Sequence, residues 1–146
     1  MVRILILLLL LFICIIDIQK LIIPDYLNLL LLLLAFLYRG FNLINIENSL
    51  IGMGIYSLIP LFLYGYLRGE PIGFGDIKLM LSLGYILGYT SIFDVFTFYT
   101  VAFSLAAIFG ILLLLVYRDK KVFKKQLPFS PYLILTFLYF YKGNIF

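Results

Sequence analysis

Residues 4–20 read ILILLLLLFICIIDIQK, an unbroken apolar run from Ile4 to Ile16 that meets Asp17 and then Lys20. Apolar stretches of this kind are what a membrane-crossing helix requires, because every backbone N–H and C=O must be satisfied inside the helix once water is excluded. Working outward, the 146-residue chain carries several such runs. It is 65% hydrophobic and 12% charged, with a mean hydropathy of +1.18. An ordinary soluble domain is ruled out, and an all-α membrane protein is predicted. The first run lacks a small-residue cleavage site and leads directly into Asp17 and Lys20, so it is read as a mature helix and not as a signal peptide.

Composition removes several kinds of chemistry. One cysteine, Cys14, excludes a disulfide framework and a Cys-rich zinc site. The absence of histidine excludes His-based metal sites and Ser/His or Cys/His triads. No metal or other cofactor is expected. The net charge of +4 is concentrated at Arg118, Lys120, Lys121, Lys124 and Lys125. In a membrane protein that cluster reads as a topology signal or as a contact for anionic lipid headgroups, not as a nucleic-acid site.

Six transmembrane helices are predicted in one membrane domain spanning residues 1–146. The first runs from Val2 to Ile22. Pro24 and Asp25 open the second, since Pro tolerates the first helical position and an acid suits the positive end of the dipole. Gly40, after Arg39, closes it. The third runs from Glu47 to Leu67 with Gly52, Gly54 and Pro60 inside. The polar turn Arg68-Gly69-Glu70-Pro71 follows, with Glu70 read as solvated. The fourth helix runs from Asp76 to Tyr89 or Thr90 and the fifth from Phe93 to Tyr117. The sixth starts at Pro128 or Pro131 and ends near Tyr141. Gly84 with Gly88, and Ala106 with Gly110, have the spacing of small-residue helix contacts. The run Leu29–Leu34 reads as lipid-facing. Of the 11 Lys and Arg residues, an N-out, C-out arrangement puts 8 inside (Lys20, Arg68, Lys78 and the 118–125 cluster) and 3 outside (Arg3, Arg39, Lys142), the favoured bias. Asp17 then ends an inward helix and Asp76 begins an outward one, so both lie at the cytoplasmic edge of the membrane.

The stretch Gly73-Phe74-Gly75-Asp76 carries the second costly carboxylate. A charge at the centre of a membrane helix costs roughly 2.5–3.5 kcal/mol on insertion scales, and less near the interface. Two carboxylates converging at low dielectric cannot both ionise cheaply, so such a pair shares a proton. One can then activate water while the other polarises a carbonyl, chemistry that needs no metal, histidine or serine. Alone, either residue can also be structural, Asp17 at a helix end and Asp76 as a cap. Gly73 and Gly75 would let the backbone take a positive φ or approach a substrate strand. Lys78 opposes the dipole at its helix start. It is read either as snorkelling to headgroups or as holding substrate and tuning the carboxylates. Asp25, a third acidic residue near the same surface, is read as helix-initiating in preference to catalytic.

Three segments in order carry a resemblance: Asp17 with Ile23-Pro24-Asp25-Tyr26-Leu27, then Gly73-Phe74-Gly75-Asp76-Ile77-Lys78-Leu79, then Leu127-Pro128-Phe129-Ser130-Pro131-Tyr132. Together they resemble the type IV prepilin peptidase family of GxGD membrane aspartic peptidases, over residues 12–143. Ser130 stands where that family usually has glycine. The resemblance implies that Asp17 and Asp76 are the catalytic pair, that Gly73 and Gly75 are the motif glycines and that Lys78 supports them. It also implies partners. These are prepilin-like substrates with a hydrophobic N-terminal helix, whose short basic leader is removed at the cytoplasmic face of a prokaryotic plasma membrane. Larger members carry a cysteine-containing N-terminal module that methylates the new N-terminus. The start at the first core helix and the lone Cys14 lead to an expectation of peptidase activity without that module, as in Flp-type or archaeal flagellin and pilin systems.

The resulting expectation is an aspartic endopeptidase that cleaves by direct water attack. The rivals are a small proton-coupled transporter, a non-catalytic secretion-system component and a presenilin-like intramembrane peptidase. The Pro24-Asp25 spacing disfavours the last.

Overall fold

Each helix end in this chain follows from a local residue choice. In the computed structural model, which describes residues 1–66, 73–117 and 128–143, α1 spans Val2–Lys20. It stops where Leu21 takes a left-handed conformation, with φ 56°. The Leu21 N–H closes the last turn on the Asp17 carbonyl at 2.8 Å. Pro24 is the extended N-cap of α2, Asp25–Arg39, and Gly40 ends that helix at φ 73°. α3 spans Leu43–Tyr66 with Pro60 inside, α4 Phe74–Leu87, α5 Ile92–Tyr117 and α6 Ser130–Gly143.

The six predicted helices are all present, with shifted edges. α3 begins four residues earlier than Glu47, because Asn42 starts it: the Ile46 N–H bonds to the Asn42 carbonyl at 3.0 Å, and the Asn42 side chain accepts from the Ile44 N–H. An Asn capping the free N–H groups outweighs the first charged residue as a start signal. α4 begins at Phe74, with Gly73 as its N-cap, which makes Asp76 its third residue and not its cap. It ends at Leu87, before Tyr89, because Gly88 takes φ 70°. The polar turn at residues 68–71 and the basic cluster at 118–125 lie outside the described residues.

Successive helices run in alternating directions. At one end the close of α1 meets the start of α6, through Asp17 and Ser130. The starts of α2 and α4 meet there through Asp25 and Lys78. At the other end Arg3 lies 5.5 Å from the ring centre of Tyr38, and Tyr38 packs on Tyr141 of α6 at 5.7 Å. Arg39, at the end of α2, donates from Nη2 to the Leu87 carbonyl at 2.9 Å, closing an otherwise free carbonyl at the end of α4. The described N- and C-terminal ends therefore lie together, opposite the end that holds both carboxylates.

α4 is the central element and packs against α2, α3 and α6. Its crossing with α3 is glycine on glycine. A Cβ on Gly52 would sit 2.6 Å from the Gly84 carbonyl oxygen, and one on Gly84 2.9 Å from the Tyr56 Cβ. Close backbone approach replaces the hydrophobic effect as the source of helix association in lipid. Ala106 and Gly110 are half-buried on α5. On α1 the buried side chains Ile6, Leu10, Ile13 and Asp17 recur at helical spacing, so Asp17 is the polar end of an otherwise apolar inward face. The same periodicity divides the leucine run of α2: Leu29, Leu30 and Leu33 are exposed, but Leu31 is buried in the core. The uniformly lipid-facing expectation for that run is thus corrected.

α1, α3 and most of α5 are long and apolar enough to cross a membrane. α2, α4 and α6 have 15, 14 and 14 residues. Each is roughly 21–22 Å long at 1.5 Å per residue, against a hydrocarbon core of about 30 Å. A helix as enclosed by protein as α4 does not have to match that thickness.

Candidate active site

Asp17 and Asp76 line one cavity of about 300 Å³ at the shared helix end. They are 5% and 7% exposed. The rest of its wall comes from the Leu21–Ile23 turn, from Gly73, Phe74 and Gly75, and from Asp25 with Lys78. At roughly 30 Å³ per water, the cavity has room for a peptide unit together with an attacking water.

Each carboxylate has its own local support. The Asp17 Oδ2 accepts the main-chain N–H of Ser130 at 3.3 Å. Ser130 is the first residue of α6, so this N–H has no partner within its own helix and the positive end of the α6 dipole faces Asp17. That matters because Asp17 lies near the C-terminal end of α1, where its own helix opposes a negative charge. Asp76 lies in the first turn of α4, where the helix favours one, and its main-chain N–H bonds to the Gly73 carbonyl at 3.0 Å. Its Oδ1 is buried without a hydrogen-bond partner. A buried carboxylate oxygen with no donor is expensive unless a proton, water or substrate completes it.

The two motif glycines act differently from the expectation. Neither has a positive φ; among the described glycines only Gly40 and Gly88 do. Gly73 has φ −70° and ψ 147°, an extended geometry open to any residue. Gly75 is helical, and a Cβ there would lie 3.1 Å from the Cβ of Ile23. Its close approach is therefore to this chain's own α1–α2 turn and not to a substrate strand. The left-handed Leu21 directs that turn beneath α4, and the missing Cβ of Gly75 lets it arrive.

Lys78 does not simply snorkel. Its Nζ pairs with the Asp25 Oδ1 at 2.6 Å on the cavity rim, and it also lies 5.0 Å from the Phe74 ring centre. For Asp25 the sequence favours helix initiation over catalysis. The ion pair adds a second role, joining the starts of α2 and α4 beside the carboxylates. Ser130 was the other omission. The available signal was the proline-flanked Phe129-Ser130-Pro131, which marks a helix start with an exposed dipole end. Among the described residues, no group of three Asp, Glu, Cys or His side chains could hold a metal ion.

Residues 4–115 match the type IV leader peptidase family. Over 133 residues the chain is 31% identical to a prepilin leader peptidase/N-methyltransferase of Pectobacterium carotovorum subsp. carotovorum, covering 86% of this chain and 45% of that protein. Over 128 residues it is 33% identical to a protein of the same name from Aeromonas salmonicida (strain A449), covering 83% of this chain and 42% of the other. The chain spans about half the length of the curated relatives it matches. No solved structure matches it.

Proposed function

The chain belongs to the type IV leader peptidase family, and from that premise we propose that it is a membrane aspartic endopeptidase using Asp17 and Asp76. Its substrates would be prepilin-like precursors whose short basic leader precedes a hydrophobic helix. The observation that carries this reading is the burial of both carboxylates on one cavity wall, from helices 59 positions apart in sequence.

The chemistry follows from their surroundings. Asp17, held by the Ser130 N–H, takes a proton from the attacking water. Asp76, with Oδ1 free of protein donors, holds the shared proton against the scissile carbonyl oxygen. The water oxygen adds to the carbonyl carbon, and the C–O π pair moves to the oxygen as it accepts the Asp76 proton. The proton on Asp17 then passes to the amide nitrogen, a hydroxyl of the diol returns its proton to Asp76 as the C=O re-forms, and the C–N bond breaks with its electron pair going to nitrogen. A carboxylic acid and a free amine leave, and the net reaction consumes one water. No covalent intermediate forms.

In this reading all six helices cross the bilayer, with both described ends outside and the carboxylates at the cytoplasmic face. Charge counting supports that orientation, and the alternation of helix direction is compatible with it. Short α2 and α6 would then thin the bilayer locally at modest cost, while α4 is enclosed by protein. Gly73, Gly75 and Lys78 act as supports: Gly75 through its approach to Ile23, and Lys78 through Asp25. The test is co-expression with a short protein that carries a basic leader, a glycine and then an apolar helix. Wild type is expected to shorten it by the leader, with the new N-terminus read by mass spectrometry. Loss of the full-length band without that N-terminus would contradict the proposal.

A further inference from the structure

Beside the cavity lies a second concavity, a groove of about 360 Å³ between α2 and α4. The two share Asp25 and Lys78, so the rim ion pair of the first is the upper edge of the second. The groove continues down the helices. At 1.5 Å per residue, Asn28 lies about 4.5 Å along α2 from Asp25, and Leu32 about 10 Å. Leu29, Leu32 and Leu81 supply its apolar wall. Tyr26 and Leu29 are 66% and 60% exposed, so it opens on the outer, apolar face of the bundle.

One polar group does not fit an apolar crevice. Asn28 is 6% exposed, and both its Nδ2 and its Oδ1 are buried without a hydrogen-bond partner. Helix pairing does not require it. At Asn28 the hydrogen bond between α2 and α4 runs from Ser82 Oγ to the Asn28 main-chain carbonyl at 3.2 Å, leaving the side-chain amide unused. A primary amide with a free donor and a free acceptor is complementary to a peptide group. An acyl chain has neither partner. A peptide that leaves the cavity over the ion pair and becomes helical there presents the free N–H groups of its first turn.

We infer that the α2–α4 groove is the subsite for the substrate's apolar helix, with Asn28 binding the main chain of that helix's first turn. The inference rests on the peptidase reading above and gives it a direction: leader in the cavity, apolar segment in the groove. Asn28 is a substrate-binding residue here and takes no part in the proton transfers.

The experiment uses full-length protein in liposomes and a precursor with a basic leader and an apolar helix. Asn28→Leu keeps the volume and removes the amide. It is expected to raise KM about tenfold, the scale of one lost hydrogen bond, with kcat within twofold. Leu29→Trp, at an exposed position, fills the groove mouth and should raise KM similarly if Asn28→Leu does not fold. In an Asp76→Asn background that holds precursor uncut, Leu29→Cys should crosslink to cysteines placed in the first two turns of the precursor helix and not to cysteines in the leader. A loss confined to kcat, unchanged kinetics in the folded variants, or crosslinks only to the leader would overturn the groove assignment while leaving the peptidase standing. Failure of wild type to cut the precursor would remove the peptidase reading and this inference with it.

Discussion

The main-chain N–H of Ser130 reaches the Asp17 Oδ2 at 3.3 Å across 113 positions of sequence. The start of α6 thereby fixes the carboxylate at the end of α1. Because the donor is the backbone, the Ser130 hydroxyl, itself buried without a partner, is dispensable to this contact. Ser130→Gly should keep activity within about threefold. Ser130→Pro removes the donor but suits the first position of a helix. A hydrogen bond to a charged group contributes about 1.5–3 kcal/mol, so this variant should lose about 10- to 150-fold in kcat/KM. Equal effects of the two substitutions, measured on folded protein, would argue against the contact.

Gly75 and Gly73 should separate under alanine substitution. A methyl at Gly75 lies 3.1 Å from the Ile23 Cβ, whereas one at Gly73 meets its nearest neighbour, the Asp76 Oδ2, at an ordinary 3.5 Å. Gly75→Ala is expected to push the α1–α2 turn away and lower kcat by about tenfold or more, given that a misplacement of 1 Å can cost about a hundredfold. Gly73→Ala should stay within a fewfold of wild type. Steady-state rates on one precursor decide it, and the reverse ranking would show that the turn contact is unimportant.

The α3–α4 crossing predicts a stability effect without a site effect. A Cβ at Gly84 would meet the Gly52 carbonyl oxygen at 2.8 Å and the Tyr56 Cβ at 2.9 Å. Gly84→Ala should destabilise by about 1–3 kcal/mol, the usual range for overpacking. Thermal unfolding in detergent should show a lower Tm. An unchanged Tm would mean that the two helices are not in close contact.

How much of this was legible in the sequence depended on range. Apolar runs and local punctuation gave the helices: Pro24 and Gly40 mark ends that the structure keeps, whereas Gly88, read as a packing residue, ends α4 before the expected Tyr89. Asn42 was overlooked because the charged Glu47 looked like the natural start, although a capping side chain decides where α3 begins. Asp17 and Asp76 stood out because isolated carboxylates among apolar residues are costly. Their placement at one end of the bundle was anticipated from helix direction and charge bias, but the cavity they share was not. The Ser130 contact was not, since nothing in a local pattern joins residues so distant. Asn28 was hidden differently: next to a leucine run, its burial depends on which helix face meets α4, and that face is set by the packing of α4.

The Asp25–Lys78 pair is close but exposed at its edges. Side chains 73% and 33% exposed are well solvated. A double-mutant cycle on stability with Asp25→Ala and Lys78→Ala should give a coupling of about 0.2–1 kcal/mol. The coupling should shrink as salt rises, since exposed charges are screened. A coupling well above that range, insensitive to salt, would mean that the pair is enclosed by more protein than the cavity rim provides.

The central claim is that Asp17 and Asp76 act as one proton-sharing unit. Its most direct test is the single-turnover cleavage rate of reconstituted wild type, Asp17→Asn, Asp76→Asn and the double variant, with insertion checked in each. Residues that work together are grossly non-additive. Each single variant should therefore lose about as much as the double, a drop of at least about a thousandfold. Cleavage at the wild-type rate by either single variant would contradict the account.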